Sequence, residues 1–252
     1  MPTGGAHRTR DVAFSPDDKT MFVSVGSATD DASGMSAWAV SLRSMSWDVE
    51  QDCADVLAFD PEGGRKRVFA AGLRNCSRLT VQPLSGALGA SSTRRDGFGD
   101  DLPPDFATRV ADGEFFGWPW FYIGAHADPR HKGEQPDLAA RVTVPDVLLQ
   151  PHSAPLGIAF YESREFPAQY KGDAFVALHG SWNRAKRTGY KVVRLLMNDN
   201  EPTGVYQDFL TGFVADDGAV WGRPVDVAVT KDGALLVSDD DGAIWRVRRQ
   251  RK

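Results

Sequence analysis

A histidine and two arginines, each just before a predicted β-strand, are the first side chains that could do chemistry. His7 precedes the strand that begins near Asp11, and an imidazole, whose ordinary pKa is about 6.5, suits a general base. Arg74 and Arg223 stand at equivalent places before two later strands, and a guanidinium binds carboxylate or sugar oxygens. The spacing predicts that both arginines converge on one anionic ligand. The plainer alternatives are an exposed terminal histidine and arginines that close turns.

A loop rich in carboxylates and turn formers lies between Arg95 and Asp105. Calcium takes oxygen ligands from carboxylates and from loop carbonyls, so this segment is a candidate metal loop. Its spacing differs from an EF-hand, because it lacks both the Asp-x-Asp-x-Asp-Gly pattern and a Glu at the twelfth position. A solvated turn explains the same composition, and spacing alone does not separate the two interpretations.

Two aromatic loops and several missing motifs narrow the choice of cofactor. Residues 117–122 and 179–184 combine aromatic and polar side chains, which could stack on a planar cofactor or pack between structural elements. The sequence has neither Gly-x-Gly-x-x-Gly nor Gly-x4-Gly-Lys, so a bound nucleotide is not supported. It also lacks a Gly-x-Ser-x-Gly elbow, which argues against serine hydrolase chemistry.

A repeated strand–turn–strand unit must position these residues. Its first copy covers Asp11–Ser24 and its last Asp226–Ser238, and weaker copies begin at Leu79 and Leu156, so the copies start about 70 residues apart. Each copy alternates apolar and polar residues around a turn that contains Asp or Gly, as a hairpin requires. Such units are typical of β-propeller blades. We therefore predict an all-β fold with about four blades, forming a single domain over residues 1–252.

Composition and charge agree with this fold and exclude some partners. The 252 residues include 25 Gly, 15 Pro and 7 Trp, which favours short strands and tight turns over long helices. One short helix is predicted near Pro103–Val110. The formal net charge of −5 gives no electrostatic reason to expect nucleic acid. No apolar run reaches the roughly 18 residues of a membrane span, and the first residues lack the apolar stretch of a secretory signal.

The number of blades predicts an incomplete ring. Four-bladed propellers are uncommon, and this chain opens almost directly on a blade motif. A propeller ring normally closes by joining strands from both chain ends. We therefore expect the sequence to be the C-terminal part of a larger propeller.

Seven segments taken together carry a family resemblance, although each is weakly specific alone. They are Thr9–Asp17, Leu73–Asn75, Asp96–Asp105, Phe116–Pro119, Pro151–Leu156, Phe175–Arg184 and Val220–Val225. In combination they resemble the soluble glucose/sorbosone dehydrogenases that depend on pyrroloquinoline quinone (PQQ), and most of all the L-sorbosone dehydrogenase-like branch. The resemblance implies a six-bladed β-propeller that is secreted or periplasmic when full length. It also implies PQQ- and calcium-dependent oxidation of an aldose or a sugar aldehyde, with electrons passing to an external acceptor.

The resemblance implies catalytic roles for residues at the start of the chain. His7 matches the general base that takes the proton of a sugar hydroxyl while hydride passes to the quinone. Arg74 and Asn75 match an Arg-Asn pair beside the cofactor and the substrate.

The resemblance also implies cofactor and metal contacts in later loops. Arg223 matches a residue that binds a cofactor carboxylate, and Asn183 or Arg184 falls at a further cofactor contact. The backbone carbonyls of Gly97 and Phe98 match those that hold calcium against the quinone. PQQ carries three carboxylates, so arginines in the channel suit it, and calcium would act as a Lewis acid.

Two departures from the family pattern leave other functions open. Thr93 and Arg94 stand where relatives usually carry Asn-Glu, and a cation beside a calcium site should weaken binding of the ion. Ser77 stands where sugar-oxidising relatives often have Gln. The main alternative is a truncated or degenerate propeller that acts as a non-catalytic binding module. A calcium-dependent lactonase ranks last, because a convincing set of Glu, Asp and Asn ligands is missing.

Overall fold

Four antiparallel sheets follow one another along the chain in a computed structural model, which describes residue 2, residues 4–33 and residues 50–250. The first three sheets have four strands each and the fourth has three. A two-stranded ribbon lies between the second and third sheets in sequence. The fold is all-β and resembles a propeller with four blades, as predicted.

The strands of the described residues are numbered in chain order. The first sheet contains β1 (Arg10–Phe14), β2 (Met21–Val25), β3 (Asp55–Phe59) and β4 (Arg67–Ala70). The second contains β5 (Asn75–Val81), β6 (Leu88–Thr93), β7 (Phe106–Val110) and β10 (Val147–Leu148), and the ribbon contains β8 (Phe121–Tyr122) and β9 (His126–Ala127). The third contains β11 (Pro155–Phe160), β12 (Ala174–Leu178), β13 (Lys191–Asn198) and β14 (Glu201–Leu210). The fourth contains β15 (Pro224–Val229), β16 (Leu235–Asp239) and β17 (Ile244–Val247).

Similar turn chemistry closes the first hairpin of the first and last sheets. The hydroxyls of Ser15 and Thr230 each donate to the aspartate two residues later, at 2.7 and 2.5 Å. Each turn then passes through a residue at positive φ, which is Asp18 (56°) in the first sheet and Gly233 (85°) in the last. Asp and Gly are among the residues that tolerate this conformation best. The turn residues recognised in the sequence therefore define the repeat.

The innermost strands of the four sheets, β1, β5, β11 and β15, are neighbours in that order. Arg78 on β5 links three of them, because its guanidinium lies 3.6 Å from Asp11 and 2.8 Å from Asp226. Gly157 on β11 permits the close approach of β15, since a Cβ there would lie 2.5 Å from the Cα of Asp226. The loops that enter these strands are thereby brought to a common centre.

One predicted element is wrong: the segment near Pro103–Val110 contains strand β7 rather than a helix. Phe106 and Val110 are buried in the apolar cluster shared by the first two sheets, and β7 pairs with both β6 and β10. Tertiary pairing decides the conformation of such a short apolar segment. The helical segments in the described part of the chain are short 3-10 turns at Pro129–His131, Pro136–Arg141 and Ala168–Tyr170.

The apolar core lies between successive sheets. Strand β12 is buried along its whole length because it pairs on both edges and packs against apolar clusters on both faces. Cys53 and Cys76 are buried free thiols in the clusters that flank the first sheet. No helix in the described residues is long and apolar enough to cross a membrane.

Candidate functional site

Loops from the first three sheets surround a cavity of about 330 Å³. This volume lies within the range of roughly 300–1,000 Å³ that small-molecule sites occupy. Its polar lining includes His7, Arg74, Asn75, Arg94, Asp96 and Asn183. The structure therefore brings together four of the residues predicted from sequence: His7, Arg74, Asn75 and Asn183.

His7 is held as a neutral imidazole in one tautomer. The Ser27 hydroxyl donates its proton to the Thr29 carbonyl at 2.7 Å, so it must accept from Nδ1 of His7, which lies 2.7 Å away. The remaining ring nitrogen, Nε2, then carries the lone pair. Burial, followed by the positive charge of Arg74, lowers the pKa of His7 from 6.5 to about 4. His7 can therefore accept a proton at neutral pH.

Titration of His7 in the ligand-free protein should have a midpoint near pH 4, measured from the Cε1–H resonance. The unfolded chain binds this proton at about pH 6.5 and the folded chain only near 4. The free energy of unfolding should therefore fall as pH drops through that interval. Burial raises the pKa of Asp105 to about 6, which gives the opposite slope. A His7→Gln variant isolates the histidine, and identical slopes in the two proteins would contradict the assignment.

Gly26 packs directly beneath two site residues. A Cβ at this position would lie 2.7 Å from the Cβ of His7 and 2.9 Å from Oδ1 of Asn75. We expect Gly26→Ala to displace both side chains, lowering the rate of any reaction in this cavity by at least about tenfold, since small displacements of reacting groups are costly. A control substitution needs a glycine with open space and without positive φ. Gly99 has open space but lies at positive φ, whereas Gly4 meets both conditions. Gly4→Ala is thus the control, and equal rates for the two variants would contradict this prediction.

Arg74 is almost completely buried and is oriented by neighbours far away in sequence. Its guanidinium donates to the Asp30 carboxylate at 2.5 Å, to the Asp30 carbonyl at 3.2 Å and to the Arg94 carbonyl at 2.8 Å. The residue itself lies at a φ of 62°, at the turn into β5. A guanidinium has five N–H donors, so two remain for a ligand in the cavity.

Two buried amide oxygens in the cavity wall have no hydrogen-bond donor among the described residues. Asn75 donates to Thr93 at 3.0 Å and Asn183 donates to Asp96 at 2.5 Å, but the Oδ1 atoms of both asparagines are unsatisfied. Buried polar groups without partners are uncommon in native proteins. A bound polar ligand with donor groups would satisfy both.

Arg184 and Arg223 do not line this cavity. Arg184 binds the Asp100 carbonyl at 3.0 Å and the Asp101 carboxylate at 2.7 Å, and so ties two loops together. The Arg223 guanidinium lies 5.1 Å from the centre of the Tyr190 ring. The expected convergence of Arg74 and Arg223 on one ligand is therefore absent in this structure, and the cofactor roles of Arg184 and Arg223 stay predictions.

The residues around Gly97 and Phe98 do not fit a calcium ion. The Arg95 guanidinium lies 4.1 Å from the centre of the Phe98 ring, and Arg130 packs against Gly97, 2.7 Å from a Cβ built there. Neither Gly97 nor Phe98 lines the cavity. Within residues 4–33 and 50–250, no group of three or more His, Cys, Asp or Glu side chains could hold a metal. Two guanidinium groups thus lie beside the two residues that were predicted to hold the ion.

Sequence reasoning gave no role to several residues that the structure places in or beside the site. Asp105 is buried and its carboxylate accepts the backbone N–H groups of Arg94 and Ala154, at 2.8 and 2.9 Å. Asp105 is the last residue of segment 96–105 and His152 lies in segment 151–156. Both segments belong to the seven that carry the family resemblance, so the sequence could have indicated both residues. Asp30, which pairs with Arg74, lies in no motif and could not have been found.

Comparison with known proteins identifies the family of the chain. A family model described as TrAA12-like matches residues 121–250, which is just over half of the chain. The chain belongs to the TrAA12-like family. It is 34% identical over 198 residues to an uncharacterized protein of Borreliella burgdorferi, a match that covers 77% of this chain and 52% of that protein.

Two further comparisons connect the TrAA12-like chain with quinone-dependent enzymes. It is 31% identical over 129 residues to a PQQ-dependent pyranose dehydrogenase of Coprinopsis cinerea, covering 44% of this chain and 17% of that protein. The holo form of the PQQ domain of pyranose dehydrogenase from Coprinopsis cinerea superposes with a TM-score of 0.72 at 23% identity, covering 98% of this chain and 71% of that domain. The chain thus has the fold of PQQ sugar dehydrogenases and spans about half or less of the curated relatives it matches.

Proposed function

We propose that this TrAA12-like chain belongs to a PQQ-dependent dehydrogenase that oxidises an aldose or a sugar aldehyde of the sorbosone type. The observation that carries the proposal is the cavity itself. A neutral histidine with its free nitrogen fixed as Nε2 stands beside a buried arginine and two unsatisfied amide oxygens. The cavity thus holds a proton acceptor, a cation that can bind a carboxylate, and two oxygens that can accept hydrogen bonds. This combination suits the oxidation of a hydroxyl by a bound polycarboxylate.

The residues of the cavity divide the work between binding and proton transfer. PQQ, when bound, supplies a two-electron acceptor for the hydride. His7 takes the hydroxyl proton at Nε2, so that the hydroxyl carbon can become a carbonyl when its hydride leaves. Arg74 offers its two free N–H groups to an anionic oxygen. Asn75 and Asn183 accept hydrogen bonds through their unsatisfied oxygens.

The remaining features of the proposal rest on the family resemblance of the sequence and not on the cavity. The electrons pass to an external acceptor, and the whole protein acts in the periplasm or outside the cell. Calcium has no part in the proposal for this chain, because guanidinium groups pack around Gly97 and Phe98.

A non-catalytic binding module is the second candidate. The observation in its favour is that Arg184 and Arg223 are engaged elsewhere, with Asp101 and Tyr190 respectively, so fewer cations reach the cavity than expected. A protein of this kind would bind PQQ or a sugar and would not turn over.

Reconstitution separates the two candidates. The purified chain is mixed with PQQ, with and without calcium, and offered aldoses and sorbosone together with a dye acceptor. Dye reduction that depends on both PQQ and sugar supports the dehydrogenase. PQQ binding by calorimetry without any dye reduction would instead identify a binding module, and a lack of both would contradict the dehydrogenase and any module that binds PQQ.

A further inference from the structure

Arg94 is a buried cation that forms no ion pair with a carboxylate of the described residues. It is 6% exposed and lines the cavity, but no carboxylate in the described part of the chain lies within 4.0 Å of its guanidinium. One terminal nitrogen donates to the Phe116 carbonyl at 2.9 Å, and the group stacks 4.7 Å from the centre of the Phe106 ring. Its Nε is buried and has no hydrogen-bond partner.

Nearby carboxylates are already committed to other groups. Asp105 accepts two backbone N–H groups, including that of Arg94 itself. Asp96 accepts from Asn183 and lies 3.4 Å from His152, and Asp30 pairs with Arg74. Burying a cation without a partner is costly. The guanidinium of Arg94 therefore favours an anion in the cavity.

Two arginines lie beside Gly97 and Phe98 in the loop that follows Arg94. Arg95 pairs with Asp128 at 2.8 Å, where both side chains are almost fully buried, and its guanidinium covers the Phe98 ring. Arg130 pairs with Asp31 and packs against Gly97. The carboxylates of Asp128 and Asp31 are thus each neutralised by an arginine.

We propose that Arg94 binds a carboxylate of the anionic ligand in this cavity, and that ligand binding by this chain does not require calcium. Arg94 would supply the fixed positive charge that an ion would otherwise bring. This inference rests on the proposed function for the identity of the ligand, which is PQQ. Its physical basis, an unpaired buried cation facing a cavity, does not depend on catalysis.

Calorimetric titration with PQQ tests both parts of this proposal. Wild-type protein should bind PQQ with the same affinity, within about twofold, in excess EGTA and in millimolar calcium. Arg94→Gln should weaken binding by about 10–100-fold, the usual value of a hydrogen bond to a charged group, and Arg94→Lys by less. Arg67→Gln is the matched control, because Arg67 is half exposed and pairs with Asp112 on the outer side of the first sheet.

The outcomes distinguish this inference from the proposed function. PQQ binding that is equal in wild type and in a folded Arg94→Gln protein overturns the role of Arg94 and leaves the dehydrogenase standing. Binding that appears only with calcium overturns the metal independence, and this arm needs no variant to fold. If PQQ fails to bind at all, the proposed function fails. Titration with pyridine-2,4,6-tricarboxylate then decides: binding that Arg94→Gln abolishes supports the anion site, and no binding overturns it.

Discussion

Replacing His7 with alanine should lower kcat for the proposed sugar oxidation by about 10²–10⁴-fold, the usual contribution of a general base. The structure gives the reason, because Ser27 fixes the tautomer and burial lowers the pKa to about 4, leaving a neutral nitrogen at the cavity. PQQ affinity should change by less than about threefold, since a neutral imidazole adds little to the binding of an anion. Dye-coupled initial rates at saturating PQQ and sugar measure the effect.

The matched control for this variant is His126→Ala. His126 is exposed, and its ring contacts the Ile123 carbonyl in the loop of the β8–β9 ribbon, away from the cavity. Its removal should leave kcat within about twofold of wild type. A His7→Ala protein that binds PQQ and retains full kcat would show that another group takes the proton.

Replacing Arg74 with glutamine should raise the Kd for PQQ by about 10–100-fold, because the cavity loses a cation with two free donors. It should also lower the free energy of unfolding by about 1–3 kcal/mol, because three hydrogen bonds of a buried guanidinium disappear. Asp30, whose side chain is 59% exposed, can return to water, so the cost stays below that of stranding a buried charge. Calorimetry and urea denaturation measure the two effects.

Asp30→Asn is the comparison variant, because it should not weaken the binding of PQQ. The amide can still accept from Arg74, but it no longer neutralises the guanidinium, so the affinity for PQQ should stay equal or rise. Stability should fall modestly, as for a partly exposed ion pair. If Asp30→Asn lost as much PQQ affinity as Arg74→Gln, the pair would act only as a structural unit, and Arg74 would not bind the ligand.

The repeat and part of the site could be predicted from sequence because both are local. Turn residues at fixed offsets mark the hairpins, and His7, Arg74 and Asn75 immediately precede or begin inner strands. The helix predicted near Pro103–Val110 is wrong because such a short segment with apolar residues fits a helical turn or a strand equally, and pairing partners decide between them.

The partners of the arginines could not be predicted, because they are set by tertiary structure. Arg74 and its acid Asp30 are 44 positions apart, and Arg184 and Asp101 are 83 positions apart. A guanidinium can bind a ligand or stabilise a loop, and the positions of the neighbouring carboxylates determine which of the two it does. The family resemblance singled out these loops but could not show that Arg95 and Arg130 lie beside Phe98 and Gly97, the predicted calcium ligands.

The cavity wall is drawn from three separate sheets. His7 enters from the first sheet, Arg94 and Asp105 from the second, and Asn183 from the third. The binding site therefore exists only while these blades are docked, and any ligand that occupies it acts as a clamp between them. At one hundred times its Kd, such a ligand adds about 2.7 kcal/mol to the folded state, and this energy is shared by the contacts between blades. The concentration of such a ligand would thus affect the stability of the contacts between blades.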